Sequence, residues 1–97
     1  MVVTLNEKRE ILQEVNRMKN GEVKELKTNL RNMGFSQVVI DNVYYELSMT
    51  GIIKQGYDGL GNLRFHITNF GENYCNISLS FGKITQGFID ITNSVRI

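Results

Sequence analysis

The chain of 97 residues contains no proline, alanine or tryptophan, and only one cysteine and one histidine. A single cysteine, Cys75, excludes a disulfide bond within the chain, which agrees with a reducing compartment. The longest apolar run is only a few residues, far below the roughly 18 residues that a membrane-spanning helix needs. The N-terminal residues have no apolar stretch typical of a secretory signal. These absences predict a cytoplasmic protein that does not enter a membrane.

The scarcity of histidine and cysteine also argues against catalytic chemistry. A metal site normally takes three or four ligands, and His66 and Cys75 are not clustered with carboxylates in the sequence. No third residue is evident that would orient them as a nucleophile and its base. The GxxG spacing in GYDGLGN precedes a predicted strand, whereas a phosphate-binding loop opens a helix. We therefore expect no enzyme activity, no metal and no cofactor.

What the chain does contain is the composition of one soluble globular domain. Hydrophobic residues make up 41% of the chain and charged residues 22%, an ordinary balance for a folded domain. At this length only one hydrophobic core can form. The formal net charge of +1 at pH 7 gives no strong overall attraction to nucleic acid, so any basic surface must be local.

The first half of the chain has the periodicity of three amphipathic helices. Thr4 and Glu7 have the spacing of a capping box, and Asn20-Gly21 is a stop signal after the first apolar stripe. A second apolar stripe ends at Gly34, and Ser36 can cap the helix that follows. These signals predict helices over residues 5–19, 22–32 and 37–49.

After Gly51 the apolar period changes from about 3.6 to 2. IIKQGY and LRFHIT flank the turn sequence DGLGN, which predicts a β-hairpin whose Leu63, Phe65 and Ile67 face one side. Three helices followed by a hairpin, with a short link between the second and third helices, is the layout of a winged helix-turn-helix. The predicted fold class is therefore α+β, mainly α, with the winged-helix domain in residues 1–76.

The last part of the chain is predicted to be a helical extension over residues 77–97. Its apolar spacing favours a short helix at 69–76, a break at 76–80 and a second helix at about 81–95, although its isoleucines and threonines also suit strands. The apolar stripe is too long for so small a body to bury alone, so it packs either on the same domain or, as we expect, on a second copy. The predicted dimer residues are Phe81, Ile84, Phe88, Ile91 and Val95.

Four stretches of the sequence carry a family resemblance. REILQEV, LSMTGII, ITNFGENY and SFGKITQGFIDI resemble, in order and spacing, the YjcQ-like proteins, which are small winged-helix proteins of Gram-positive bacteria and their phages. ITNFGENY is also similar to the element that follows the wing in PadR-type and MarR-type repressors. The resemblance implies a winged-helix fold and a regulatory DNA-binding role. It implies no ligand or catalytic residue.

The third predicted helix is the candidate for reading DNA bases. With the apolar stripe of Ile40, Val43 and Leu47 inward, it turns Val38, Asp41, Asn42, Tyr45 and Met49 outward. The base-reading candidates are Gln37, Val38, Asp41, Asn42 and Tyr45. Asparagine can pair with adenine, aspartate can accept from cytosine, and Val or Tyr can cover a thymine methyl group. The helix lacks the lysine or arginine that most often contacts guanine. The alternative is that its acidic and partly apolar outer face binds a protein.

Phosphate contacts are expected from basic residues on either side of this helix, because such contacts set the register of a protein on DNA. Lys24, Lys27 and Arg31 share one face of the second helix, while Lys54 and Arg64 lie on the strands of the wing. Interleaved glutamates leave open that these are ordinary solvated charges.

Two hypotheses follow from the sequence. The first is a homodimeric transcriptional regulator that binds double-stranded DNA, with the third helix in the major groove and the wing on the flanking backbone. The alternative is a winged-helix module that binds another protein and no DNA. The first hypothesis predicts that the protein binds DNA and that this binding weakens as the salt concentration rises. The alternative predicts no binding to DNA.

Overall fold

A computed structural model describes residues 3–80 of the chain. This part is a mainly helical α+β domain with four helices and a three-stranded antiparallel sheet, an arrangement compatible with a winged helix. No helix in the described range is both long and apolar enough to span a bilayer. The predicted second tail helix and all five predicted dimer residues lie outside the described range. The elements are α1 (Leu5–Met18), β1 (Asn20–Glu22), α2 (Val23–Asn32), α3 (Gln37–Met49), β2 (Ile53–Tyr57), β3 (Leu63–Ile67) and α4 (Asn69–Ser80).

The start of α1 is the predicted capping box. Thr4 Oγ1 accepts a hydrogen bond from the Glu7 N–H at 3.1 Å, and Glu7 Oε1 accepts one from the Thr4 N–H at 2.9 Å. The helix ends at Met18, one residue before the predicted boundary, because Lys19 leaves the helix with a φ of 67°. The carbonyl oxygen of Lys19 accepts a hydrogen bond from the Ile67 N–H at 2.7 Å, so the chain passes directly from α1 into the sheet.

Strand β1 adds a third strand to the predicted hairpin. The strand order is β1-β3-β2, with Gly21 and Gln55 each opposite Phe65. A strand of three residues is too short to show an alternating pattern, so β1 is not predictable from the periodicity of the sequence. Because alternate side chains face opposite sides of a sheet, buried Phe65 marks the inner face, and its neighbours Arg64 and His66 lie on the outer face.

The core lies between the first three helices and the inner face of the sheet. Ile40, Val43 and Leu47 of α3 point into it as predicted, and Val39 and Tyr44 are buried beside them. The largest fully buried side chains come from every layer: Phe65, Ile11, Leu12, Leu26, Leu30, Ile40, Leu47, Ile52 and Ile53.

Helix α4 closes the open side of this core. Thr68 Oγ1 accepts a hydrogen bond from the Gly71 N–H at 2.9 Å and donates to the carbonyl oxygen of Gly51 at 2.6 Å. The predicted break at residues 76–80 is wrong, since α4 is continuous to Ser80. Ordinary polar residues cost at most about 0.7 kcal/mol each in a helix, too little to end one that is already anchored. Tyr74 is buried, whereas Ile77 is 63% exposed.

A buried carboxylate joins α1 to α2. Glu14 accepts hydrogen bonds from Arg17 Nε at 2.8 Å and from Asn29 Nδ2 at 3.2 Å. The hydrogen bonds from Arg17 lower the pKa of Glu14, against the opposing effect of burial. The folded chain therefore holds this carboxylate ionised at pH values where the unfolded chain binds a proton.

We expect Glu14→Gln to lower the free energy of unfolding by about 1–2 kcal/mol at pH 7. The folded pKa is depressed, so the stabilisation is complete above the unfolded pKa of about 4.3. It is lost as the pH falls through the folded pKa. Urea unfolding of both proteins between pH 7 and 3 measures the difference. A difference that stays constant down to pH 3 would show that the ionised carboxylate contributes nothing.

Candidate nucleic-acid interface

Helices α2 and α3 pack against each other across a short turn. After α2, Gly34 takes a φ of 101°, in the left-handed region that glycine tolerates. Ser36 then caps α3 by accepting a hydrogen bond from the Val39 N–H at 3.3 Å. The turn directs one side of α3 into the core and leaves the opposite side in solvent.

The outer face of α3, which we define by its exposed side chains, contains every predicted base-reading residue. Val38, Tyr45 and Met49 are 54%, 64% and 62% exposed, which is unusual for such large apolar groups on one helix face. Asn42 donates from Nδ2 to the carbonyl oxygen of Val38 at 2.9 Å. The outer face consists of Gln37, Val38, Asp41, Asn42, Tyr45 and Met49.

A polar network ties part of this face to α2. Arg31 Nη1 donates to Gln37 Oε1 at 2.7 Å, and Gln37 Nε2 donates to Asp41 Oδ1 at 2.8 Å. Lys27 Nζ contacts the same Asp41 oxygen at 3.0 Å. The hydrogen bond from Lys27, together with that from Gln37, lowers the pKa of Asp41. Two predicted phosphate contacts, Lys27 and Arg31, are thus bound to two predicted base-reading residues.

The same network reaches the wing through Tyr44. Lys27 Nζ lies 5.0 Å from the centroid of the Tyr44 ring, within the range of a cation–π contact. The Tyr44 hydroxyl donates a hydrogen bond to Gln55 Oε1 on β2. Burial raises the pKa of Tyr44, which keeps the hydroxyl protonated as a donor. Helix α2, helix α3 and the wing are therefore connected by side chains.

An open groove separates α2 from the tip of the wing. Its volume is about 490 Å³, and cations of α2 form one wall while the end of the hairpin forms the other. We call this the α2–wing groove, and its lining residues are Glu22, Val23, Lys24, Lys27, Arg31, Tyr57, Gly61, Asn62 and Leu63.

The predicted phosphate contacts fall on two different surfaces. Lys24, Lys27 and Arg31 line the α2–wing groove together. Lys54 pairs with His66, and Arg64 pairs with Gly56, so both wing cations lie on the outer face of the sheet. The structure therefore brings three of the five cations together and places the other two on the side of the sheet away from α3.

The turn at the wing tip is held by one carboxylate. Asp58 Oδ1 accepts hydrogen bonds from the N–H groups of Leu60 at 2.9 Å and Asn62 at 3.0 Å. The N–H groups of Asn62 and Leu60 lower the pKa of Asp58. The turn is consequently ordered without any packing around it, and it fixes Tyr57 and Asn62 opposite α2.

No family model, curated protein or solved structure matches the chain. The resemblance to YjcQ-like proteins stays a prediction.

His66 and Cys75, the single histidine and the single cysteine of the chain, differ in their exposure to solvent. His66 is exposed on the outer face of the sheet. Cys75 lies on α4 with its side chain buried in the core, and burial raises the pKa of its thiol to about 11, so it stays protonated at neutral pH. Within residues 3–80, no group of three histidine, cysteine or carboxylate side chains is arranged to hold a metal ion.

Sequence reasoning missed the network and the groove. The spacing of Gln37 and Asp41 is a known helical side-chain pair, and it would have indicated one contact of the network. No local signal relates Lys27 to Asp41, which are 14 residues apart. The sequence pattern predicts only that Tyr57 and Asn62 belong to the hairpin. Their distance from α2 depends on how the sheet packs.

Proposed function

We propose that this chain is a winged-helix protein that binds double-stranded DNA as a homodimer and regulates transcription. Helix α3 enters the major groove and the wing lies on the flanking backbone. The observation that carries this proposal is the exposure of the whole outer face of α3 beside the basic residues of α2. DNA recognition requires one surface that contacts bases and one that contacts phosphates. The exposed face of α3 and the cations of α2 next to it are suited to these two tasks.

Asn42 is the residue best placed to read a base. Its single side-chain hydrogen bond within the described residues, to Val38, uses one of two N–H donors. The amide oxygen and the second donor remain for a bidentate pair with adenine. Gln37 and Asp41 are already paired with each other, so they contact bases only after the network rearranges.

A second candidate function is supported by the apolar half of the same face. Val38, Tyr45 and Met49 are exposed together, and α3 contains no lysine or arginine. A large aromatic side chain beside aliphatic ones is typical of a protein-binding surface. In this alternative the outer face of α3 docks on a partner protein, and DNA is not bound.

Fluorescence anisotropy of a labelled random-sequence duplex tests the first function against the second. We expect binding that weakens along a straight line of log affinity against log salt concentration. Three phosphate contacts per subunit of a dimer, from Lys24, Lys27 and Arg31, predict a slope of about −5. Light scattering on the same sample measures whether the protein is a dimer.

Asn42→Ala serves as the control for base reading. Random duplex should bind this variant as it binds the natural protein, whereas preference for a selected site should fall by about 1–3 kcal/mol at one base pair. Absence of duplex binding at low salt would contradict the DNA function and favour the protein-docking alternative.

A further inference from the structure

The α2–wing groove combines the cations of α2 with an aromatic ring and an amide group of the wing that the duplex surface does not include. The groove volume of about 490 Å³ is within the range of small-molecule sites, which is about 300–1,000 Å³. We propose that this groove binds a nucleotide, with the phosphate on the cations of α2 and the base on the ring of Tyr57. A free nucleotide and one nucleotide of an unpaired strand present the same chemistry.

The α2 wall supplies the phosphate contacts. Lys24 forms no ion pair within residues 3–80, so its ammonium group is available to a ligand. Arg31 uses two of its nitrogens on Gln37 and Thr28, and the guanidinium group has further N–H donors. Glu22 precedes α2 without capping it, which leaves the first N–H groups of the helix without a side-chain acceptor. Such groups favour an anion.

The wing wall supplies a stacking surface. Tyr57 lines the groove and is 76% exposed, although a large ring normally gains from being covered. Leu63, which pairs with Tyr57 across the hairpin, extends the apolar surface next to the ring. An aromatic ring beside a basic groove is the arrangement on which unpaired bases stack.

One polar residue of the wing gives the groove selectivity for a nucleotide over a simple aromatic anion. The Asn62 side chain lines the groove and hydrogen-bonds to Asp58, and its amide oxygen and second N–H are left for the edge of a base.

This site stands independently of duplex binding, because Tyr57 and Asn62 belong to neither the outer face of α3 nor the predicted phosphate contacts. One consequence does rest on the proposed function. Lys24 and Arg31 also belong to the duplex surface, so a bound nucleotide should compete with duplex DNA.

The test is a titration of the full chain followed by ¹H–¹⁵N NMR with three probes: adenosine 5′-monophosphate, a strand of five thymidylates and inorganic phosphate. We expect saturable shifts of the amides of Lys24, Gly61 and Asn62. Inorganic phosphate should bind at least about tenfold more weakly, because it cannot stack on Tyr57. Saturation by the monophosphate alone identifies a free nucleotide, and saturation by the strand alone identifies unpaired nucleic acid. Either result supports the site.

Variants at the wing decide the role of the ring. Tyr57→Ala should weaken binding about fivefold or more, and Tyr57→Phe should retain it. Leu60→Ala is the matched control, since Leu60 is an exposed apolar residue of the same hairpin that does not line the groove. Equal binding by Tyr57→Ala and Leu60→Ala would overturn the proposal. So would phosphate binding as tightly as the nucleotide, or no saturable shift with any probe.

Discussion

Replacing Gly71 with alanine should lower the free energy of unfolding by about 3 kcal/mol, as overpacking of a rigid contact does. A Cβ atom at this position would lie 2.2 Å from the carbonyl oxygen of Ile52 and 2.9 Å from Ile67 Cγ1. The Ile52 carbonyl cannot move aside freely, because it accepts a hydrogen bond from the Thr68 N–H at 2.9 Å. Helix α4 must therefore shift away from the body of the domain.

Urea unfolding measures the loss of unfolding free energy. The reactivity of the Cys75 thiol shows whether the packing of α4 is what has changed. Gly59→Ala is the matched control, since a Cβ atom at Gly59 meets nothing within 4 Å. The buried thiol of Cys75 should react slowly with a disulfide reagent in the natural protein and in the control. It should react faster in Gly71→Ala, because α4, which carries Cys75, no longer packs closely on the body of the domain. Equal stability and equal thiol reactivity in the two variants would mean that α4 does not pack against Ile52.

The described fold was largely predictable because its signals are local. The capping residues Thr4 and Ser36 and the turn sequence DGLGN act over a few residues, so they indicate helix starts and the hairpin without knowledge of the packing. Strand β1 and the uninterrupted α4 were not predictable in this way. Three residues pair with β3 because Lys19 turns the chain toward it, and α4 continues because Thr68 and Gly71 anchor its first turn.

The candidate site was predictable in its residue types but not in its connections. Helical periodicity placed Asn42 and Tyr45 outward, and both are exposed. The same periodicity cannot show that Lys27 contacts Asp41, since that contact depends on the crossing of α2 and α3. Nor can a strand pattern show which face of the sheet lies toward α2. The packing of the sheet, which the strand pattern does not predict, places Tyr57 and Lys24 on the two walls of the α2–wing groove.

The five predicted phosphate contacts lie on two faces of the domain, and only Lys24, Lys27 and Arg31 are on the side of α2. The double variant Lys24→Glu, Arg31→Glu should bind random duplex about 100-fold more weakly at low salt, because two charge-assisted contacts are lost and replaced by repulsion. The slope of log affinity against log salt should become shallower by about 2 per subunit. Both residues are exposed, so circular dichroism should show an unchanged fold.

The double variant Lys54→Glu, Arg64→Glu makes the same change in net charge on the outer face of the sheet. Any effect of overall charge is therefore equal in the two proteins, and a difference in duplex affinity reports which face contacts the backbone. We expect a loss of less than about fivefold for this control, with an unchanged salt slope. The opposite result, with the larger loss in the Lys54 and Arg64 variant, would place the DNA on the outer face of the sheet. It would separate the duplex from the α2–wing groove, and Lys24 and Arg31 would then be free to hold a nucleotide while DNA is bound.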